Sequence, residues 1–265
     1  MIDDVSALVR RAADEAIRPR FRRLAEGDVS FKSPGDPVTV ADHESEKLLT
    51  EGLTALLPGS SVVGEEAVAE DPGLLGRAAD AGDVWVVDPL DGTKNFAAGH
   101  GPFAVMVALL RGGALVAGWI LDVPNDSLAV AEAGSGAYVD GVRLHARGDA
   151  PAAAELRGAV AMTYLPDHLK AHVETRRDAL GAVLPPLHCA GEEYPAVVAG
   201  RQDFVLFWRT LPWDHAPGAL LVREAGGVVR RFDGSDYTVG DDRTGLLVAA
   251  NDGIWHAARS VLLPG

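Results

Sequence analysis

The sequence predicts an α/β layered sandwich with an N-terminal helical pair, a large mixed sheet and a smaller C-terminal α/β half. Three observations carry that expectation. Residues 3–57 hold two stretches of helical hydrophobic spacing, residues 61–132 switch to short β-type runs, and residues 151–265 alternate between the two patterns. With 265 residues, 48% of them hydrophobic and 23% charged, the chain can bury a full core. Ala150-Pro151-Ala152-Ala153-Ala154 is the expected junction, dividing the chain into halves 1–150 and 151–265.

In the first stretch Val5, Leu8, Val9, Ala12, Ala16 and Ile17 lie at helical spacing, which predicts an amphipathic helix over 3–26. Lys32-Ser33-Pro34-Gly35-Asp36-Pro37 should be a loop, because two prolines and a glycine oppose a hydrogen-bonded ladder. Thr39-Val40-Ala41-Asp42 matches a capping box ahead of Leu48, Leu49, Leu53, Leu56 and Leu57. A second helix should therefore start there and stop at Pro58-Gly59. Strands are expected at 61–64, 84–87, 103–110, 114–121 and 128–132, with Gly112-Gly113 as a hairpin turn. The last stretch gives strands near 158–163, 203–207, 227–231 and 246–250, and helices at 167–180, 192–199, 214–225 and 252–262.

Against 24 Lys+Arg stand 38 Asp+Glu, a formal net charge of -14. That acidity opposes binding to a nucleic-acid polymer, which needs clustered cations, and to an anionic membrane surface. No apolar run approaches the roughly 20 residues of a membrane span, and the N-terminus lacks the apolar core of a signal peptide. The expectation is a soluble, cytoplasmic protein, in which the Asn125-Asp126-Ser127 sequon is accidental. Cys189 is the one cysteine, so an intrachain disulfide and a Cys-rich zinc site are excluded. Small anions remain candidate partners, provided something neutralises the chain's own carboxylates.

The most informative stretch is Trp85-Val86-Val87-Asp88-Pro89-Leu90-Asp91-Gly92-Thr93-Lys94-Asn95-Phe96. An apolar strand delivers Asp88 at its end, and Pro89 keeps the ladder from simply continuing. Asp91 follows three residues later. Two carboxylates so close can share hard cations. If Gly92 and Thr93 open a helix, their free N–H groups form an anion site beside those cations. Asp91-Gly92 alone reads equally as an ordinary turn. The same holds for the other acidic features. Glu65 and Glu66 follow an apolar run as surface glutamates often do, Asp42 suits a capping box, and Asp214 before an apolar helix suits an N-cap. Their co-occurrence in this order is what the separate readings fail to explain.

The set resembles the inositol monophosphatase family, within the magnesium-dependent, lithium-sensitive phosphatase superfamily. The resemblance runs from Asp36-Pro37-Val38-Thr39-Val40-Ala41-Asp42 through Gly64-Glu65-Glu66 and the string Asp88 to Phe96. It ends at Trp213-Asp214-His215-Ala216 and Glu224-Ala225-Gly226-Gly227. It implies a fold of alternating α and β layers of the sugar-phosphatase type, a homodimer, and two or three Mg²⁺ ions. It also implies that Glu65, Asp88 and the Leu90 carbonyl hold one metal and that Asp88, Asp91 and Asp214 hold a second, with Glu65 near a third. Asp42 and Thr93 become the pair that polarises the attacking water, with Glu65 also counted catalytic. The Gly92 and Thr93 amides, beside Asp91, hold the phosphate. The implied activity is hydrolysis of a small phosphorylated metabolite by water.

Three departures bear on this reading. Ala98 stands where the family's first signature has a polar residue, and Pro217 where its second has a small one. A proline near a helix start is tolerated, because first-turn N–H groups have no intrahelical partner. Animal inositol monophosphatases place a sugar-contacting glutamate seven residues before the second-motif aspartate, but here that position is Phe207, followed by Trp208 and Arg209. These aromatics serve either the core or a pocket for a flatter, less hydroxyl-rich leaving group, with Arg209 meeting a second anion. Glu193 and Tyr194 are candidate substrate contacts or solvated helix residues, and His215 a partner of Asp214 or a surface histidine. Gly134-Ser135-Gly136 lacks the third glycine of a dinucleotide fingerprint, and Cys189 has no evident base to make it a nucleophile. The candidate substrates are an inositol phosphate, histidinol phosphate, a sugar bisphosphate or a 3′-phosphorylated nucleotide. The contrasting reading is a non-catalytic regulator that binds metal or a phosphometabolite.

Overall fold

A computed structural model describes residues 1–264. Helix α1 (Ile2–Ala12) passes into a π-helical turn over Ala13–Ile17 and a 3₁₀ turn over Arg18–Arg20, so the expected helix ends short of residue 26. Pro19 is the physical reason. It has no N–H for the carbonyl four residues back, and its ring crowds that carbonyl. The segment expected as a loop is instead a hairpin, β1 (Val29–Ser33) and β2 (Asp36–Thr39), turned at Pro34-Gly35. Two strands leave two free edges, so prolines cost this ladder little. Helix α2 (Val40–Leu56) starts as expected: Thr39 Oγ1 accepts from Ala41 N, and Asp42 accepts from Thr39 N.

The large sheet runs in the order β3 (Ser61–Gly64), β4 (Asp83–Asp91), β5 (Ala104–Arg111), β6 (Ala114–Asp122), β7 (Ser127–Glu132), β8 (Gly136–Val139), β9 (Val142–Leu144). All neighbours are antiparallel except β3 and β4, which are parallel. The Gly112-Gly113 turn is present with both φ positive. Strands β8 and β9 were not expected. They are joined by Asp140-Gly141, again with φ positive at both residues, the pairing that suits a two-residue hairpin.

Along β4 the side chains alternate between two cores, as the two-residue period of a strand requires. Trp85 and Val87 join Val5, Leu8, Val9, Leu49, Leu53 and Trp119 under α1 and α2. Val84 and Val86 join Met106, Ala108 and Ile120 beneath α6 (Ala190–Val198) and α7 (Pro212–Glu224). Full burial of a side chain such as Trp85 or Val86 contributes roughly 1.5–3 kcal/mol. Beyond α6 and α7 lies the second sheet, ordered β11 (Ala182–Leu184), β10 (Arg157–Val160), β12 (Phe204–Phe207), β14 (Leu246–Ala249), β13 (Val228–Arg231). It is covered by α5 (Asp167–Arg176) and α8 (Asp252–Leu262). Helix and sheet layers therefore alternate, α–β–α–β–α. The chain passes from one sheet to the other between Leu144 and Arg157, and one apolar cluster spans both sheets. Among the described residues no helix is long and apolar enough to cross a membrane.

Candidate active site

Because β3 and β4 are parallel neighbours, with Gly64 opposite Val87, their C-terminal ends deliver Glu65 and Asp88 side by side. Beyond Asp88 the ladder slips. Asp88 pairs with Met106, but Asp91 pairs with Ala104, so one extra residue bulges from β4 at Pro89-Leu90. Ser45 Oγ donates to Pro89 O at 2.9 Å and Leu90 N to Asp88 Oδ1 at 3.0 Å, which fixes the bulge. Gly92 then turns the chain with φ 85°, where a Cβ would lie 2.9 Å from Pro102 O. A left-handed turn under that ceiling requires glycine. Thr93 opens the short helix α4 (Thr93–Ala97), which meets the condition for an anion site, and Asn95 Nδ2 ties it to Pro102 O and Leu187 O.

Asp214 arrives from the opposite layer. It is the third residue of α7, whose N-cap is Leu211, so it is not the capping residue the sequence suggested. Pro212 starts the helix instead, and Asp214 is left free to point at the sheet. Pro217 lies in the second turn, further inside than expected. It rests on Gly118 of β6, where an added Cβ would be 3.0 Å from Pro217 Cα. That close seat sets the height of Asp214 above the sheet.

Glu65, Asp88 and Asp214 offer carboxylate oxygens within 4.8 Å of one another. Asp91 lines the same cleft but is not in that trio, and its Oδ2 accepts from Gly191 N at 2.6 Å. Burial, reinforced by the neighbouring carboxylates, raises Asp88 well above the usual range and pushes Asp214 up to about 8. Asp91 is pushed by burial to about 6, held back by the Gly191 amide.

Sequence reasoning missed Lys32. The unexpected hairpin carries it to the back of Glu65, where Nζ lies 2.7 Å from both Glu65 Oε1 and Glu66 Oε1. Burial alone would lower its pKa; the two glutamates outweigh that and raise it. Glu46 was also missed. It accepts from Glu66 N and Ala67 N at 2.8 Å, capping α3 (Glu65–Glu70) across Gly64, where any Cβ would collide with its carboxylate. Neither residue stands in a pattern that a single sequence would reveal.

Asp42 divides its oxygens. Oδ2 accepts from Thr39 N (2.8 Å) and Thr39 Oγ1 (2.6 Å), completing the helix cap, while Oδ1 lies 3.0 Å from Thr93 Oγ1. One carboxylate thus completes the helix cap and still turns an oxygen to Thr93. Burial lifts its pKa to about 6 against the Thr39 hydrogen bonds. Thr93 Oγ1 also lies 2.8 Å from Leu90 O.

The far wall of the cleft holds Phe207, Trp208, Arg209, Tyr164 and His188. Phe207 stacks on Tyr194 at 5.6 Å, and Trp208 lies against Phe232. The reading of Glu193, Tyr194 and His215 as solvated residues is overturned, because all three are buried. Glu193 spends Oε1 on Leu187 N and Oε2 on Gln202 Nε2, each at 2.7 Å, so it shapes the wall rather than presenting a free acceptor to a substrate. The Arg209 carbonyl can only accept, so His215 Nε2 carries the proton (2.9 Å) and Nδ1 accepts from Tyr194 OH (2.8 Å). Burial lowers His215 to about 3, keeping the ring neutral.

The inositol monophosphatase family model matches residues 2–262. The inositol-1-monophosphatase of Mesorhizobium japonicum is 34% identical over 249 residues, 92% of this chain and 90% of that one. A protein named Nus factor SuhB from Pseudomonas aeruginosa is 32% identical over 270 positions, covering 98% of this chain and 95% of its own. Among solved structures, the IMPase of Thermotoga maritima superposes with a TM-score of 0.83 at 25% identity, over 98% of this chain and 96% of that one. SuhB from Bartonella henselae gives 0.82 at 29% identity, over 98% and 99%. Matched along its length and sharing its layered fold with these structures, the chain belongs to the inositol monophosphatase family and is a phosphatase.

Proposed function

We propose that the protein hydrolyses a small, soluble phosphate monoester in a reaction that depends on two or three Mg²⁺ ions. The observation that carries this is the convergence of Glu65, Asp88 and Asp214 within 4.8 Å, on the same cleft as the Asp42–Thr93 pair. The donor set fits a hard divalent cation. It is all oxygen, and burial together with mutual repulsion raises the pKa of Asp88 and Asp214, a cost that a bound cation offsets. Glu65, Asp88 and the Leu90 carbonyl would hold one ion, Asp88, Asp91 and Asp214 a second, and Glu65 a weaker third. Bound there, the ions supply charge compensation for the phosphate, a more acidic water and stabilisation of the leaving oxygen.

The chain's own groups do the rest. The Thr93 hydroxyl has one proton and two acceptors in reach, Leu90 O at 2.8 Å and Asp42 Oδ1 at 3.0 Å; turned to Asp42, it passes its own proton to Oδ1 as it takes one from the attacking water. With a pKa of about 6, Asp42 is largely ionised at neutral pH and so can take that role. The Gly92 and Thr93 amides at the start of α4, with Asp91 beside them, orient the phosphate. The fixed bulge at Pro89-Leu90 keeps the acidic groups and these amides in one register. A cytoplasmic homodimer is part of the same proposal, by analogy with the family, and sedimentation reads the association.

Phosphate release from a panel of monoesters, with Mg²⁺ and with EDTA, tests the reading. Release that depends on Mg²⁺ and is lost in both Asp91→Asn and Asp214→Asn is expected. Full Mg²⁺-dependent release in both variants would overturn the assignment. Metal binding without release from any ester would favour a regulator, the reading that the SuhB-named relatives bring to mind.

A further inference from the structure

The cleft has a second, unlike wall. Strands β10 and β12 are parallel neighbours, and Ala161 N donates to Leu206 O at 2.8 Å just beyond their paired residues. Their C-terminal loops therefore leave the sheet together, one carrying Tyr164 and the other Arg209. Ligands in such sheets gather at the carboxyl ends of parallel strands. The Arg209 Cζ lies 4.3 Å over the Tyr164 ring, and both residues face the cleft that holds the carboxylate trio.

Arg209 is anchored but unspent. Its carbonyl is fixed by His215 Nε2, and its side chain remains 41% exposed. Among the described residues, its guanidinium donates no hydrogen bond. The nearest carboxylate oxygen paired with it is Asp214 Oδ2, at 3.9 Å. Lys32 differs, since Glu65 and Glu66 already engage it. Lys94 lines the cleft on α4, on the side of the phosphate amides, so Arg209 is the cation of the far wall. That wall offers little to a neutral polyol: Phe207 is stacked on Tyr194, and Glu193 has both oxygens occupied.

We propose that Arg209, laid on Tyr164, selects phosphate monoesters whose leaving group carries a second anion, a carboxylate or another phosphate. The inference rests on the phosphomonoesterase reading above and adds to it the class of substrate. A guanidinium held flat on a ring presents a planar fork that matches either anion with two parallel N–H bonds. Stacking restricts the side chain beforehand, so less freedom is lost when the anion arrives. The scissile phosphate sits among the carboxylates and the α4 amides, and the second anion reaches across the cleft to Arg209.

Matched esters test this on the full chain with Mg²⁺: glycerol 2-phosphate against 2-phosphoglycerate, and glucose 1-phosphate against glucose 1,6-bisphosphate. The first pair adds a carboxylate and the second a phosphate, so the two sources of the anion are separated. The unaltered protein should favour the anionic member of at least one pair by tenfold or more in kcat/KM. In Arg209→Met that preference should fall by roughly ten- to a hundredfold, chiefly through KM, the loss expected for a charge-assisted hydrogen bond. Tyr164→Leu, at a 46% exposed residue, should lower the preference less and leave the fold intact. Equal losses on both members of each pair would mean that Arg209 serves Asp214 instead, and would overturn the inference. So would no preference in the unaltered protein, while leaving the phosphatase reading standing. No release from any of the four esters would overturn the inference, and the wider ester panel then decides the phosphomonoesterase reading.

Discussion

Replacing Asp214 with asparagine should make the metal-free protein more stable while weakening its response to metal. Two unit charges no more than 4.8 Å apart repel by at least roughly 3.5 kcal/mol at an effective dielectric constant near 20, and Asp214 faces both Glu65 and Asp88. The rise of its pKa from 3.8 to about 8, to which burial contributes most and the neighbouring carboxylates the rest, caps the combined penalty at roughly 6 kcal/mol for the ionised group. Without metal the side chains spread and water enters, so a gain of about 2 kcal/mol is expected in Asp214→Asn above pH 8. The asparagine Oδ1 can still accept the hydrogen bond that protonated Asp88 donates to Asp214. For a chain of this length 2 kcal/mol corresponds to a Tm increase of roughly 4–8 °C. Thermal melts at pH 8.5 in EDTA and in saturating MgCl₂ read both halves of the prediction. The variant should melt higher in EDTA, and the order should reverse in Mg²⁺, because binding to the native state adds stability that the variant largely forgoes. A variant that melts at or below the unaltered protein in EDTA would refute the repulsion. Equal Mg²⁺ shifts in the two proteins would refute the role of Asp214 as a ligand.

The pH dependence of the metal-free protein follows from the same groups. Glu66 and Asp214 titrate at about 8 in the fold and near 4 when unfolded, so the native state binds more protons between those values. Stability should therefore rise as pH falls from 9 to 6.5, by roughly 1–3 kcal/mol in urea titrations with EDTA; a flat profile would count against it. Below 6.5 the sign reverses for His215, which stays neutral in the fold down to about 3. Tyr194→Phe strips the donor from buried His215 Nδ1 and should cost about 1–3 kcal/mol of unfolding free energy. Full stability in that variant would mean the bond is not made. Gly118→Ala places a Cβ 3.0 Å from Pro217 Cα and 3.2 Å from Pro217 O, so α7 must lift. The expected cost is about 1–3 kcal/mol, with a weaker Mg²⁺-induced Tm shift as Asp214 moves. An unchanged melt and shift would show that α7 has slack there.

Where local chemistry dictates structure, the sequence was a sufficient guide. The capping box at Thr39, the Gly112-Gly113 hairpin, helix α8 and the turn from Asp91 into α4 all lie where their residues predict. The layered architecture follows from the change of period near residue 60. What sequence hid depends on tertiary partners. Pro34 and Pro37 argue for a loop until the free edges of a two-stranded ribbon are seen, and Lys32 reaches Glu65 only through that ribbon. Strands β8, β9 and β11 are four residues or fewer, too short for alternation to register, though Asp140-Gly141 was a usable signal for the first two. Glu193 and His215 carry polar side chains that suggest solvent, yet each finds partners inside the α6–α7 layer. No periodicity encodes that kind of satisfaction.

The shared duty of Asp42 has a consequence for judging relatives that have abandoned chemistry. Its Oδ2 holds the first turn of α2, so a substitution there damages folding whether or not turnover still matters. Selection for a folded chain alone would keep it. Glu65 and Asp214 are placed the other way round. Once metal is no longer needed, losing either one relieves repulsion and strengthens the scaffold. A homologue that has drifted into a purely architectural career should therefore shed its trio carboxylates first and surrender Asp42 last. On the proposed mechanism, the presence of Asp42 is a record of the helix, and only the intact trio is a record of the reaction.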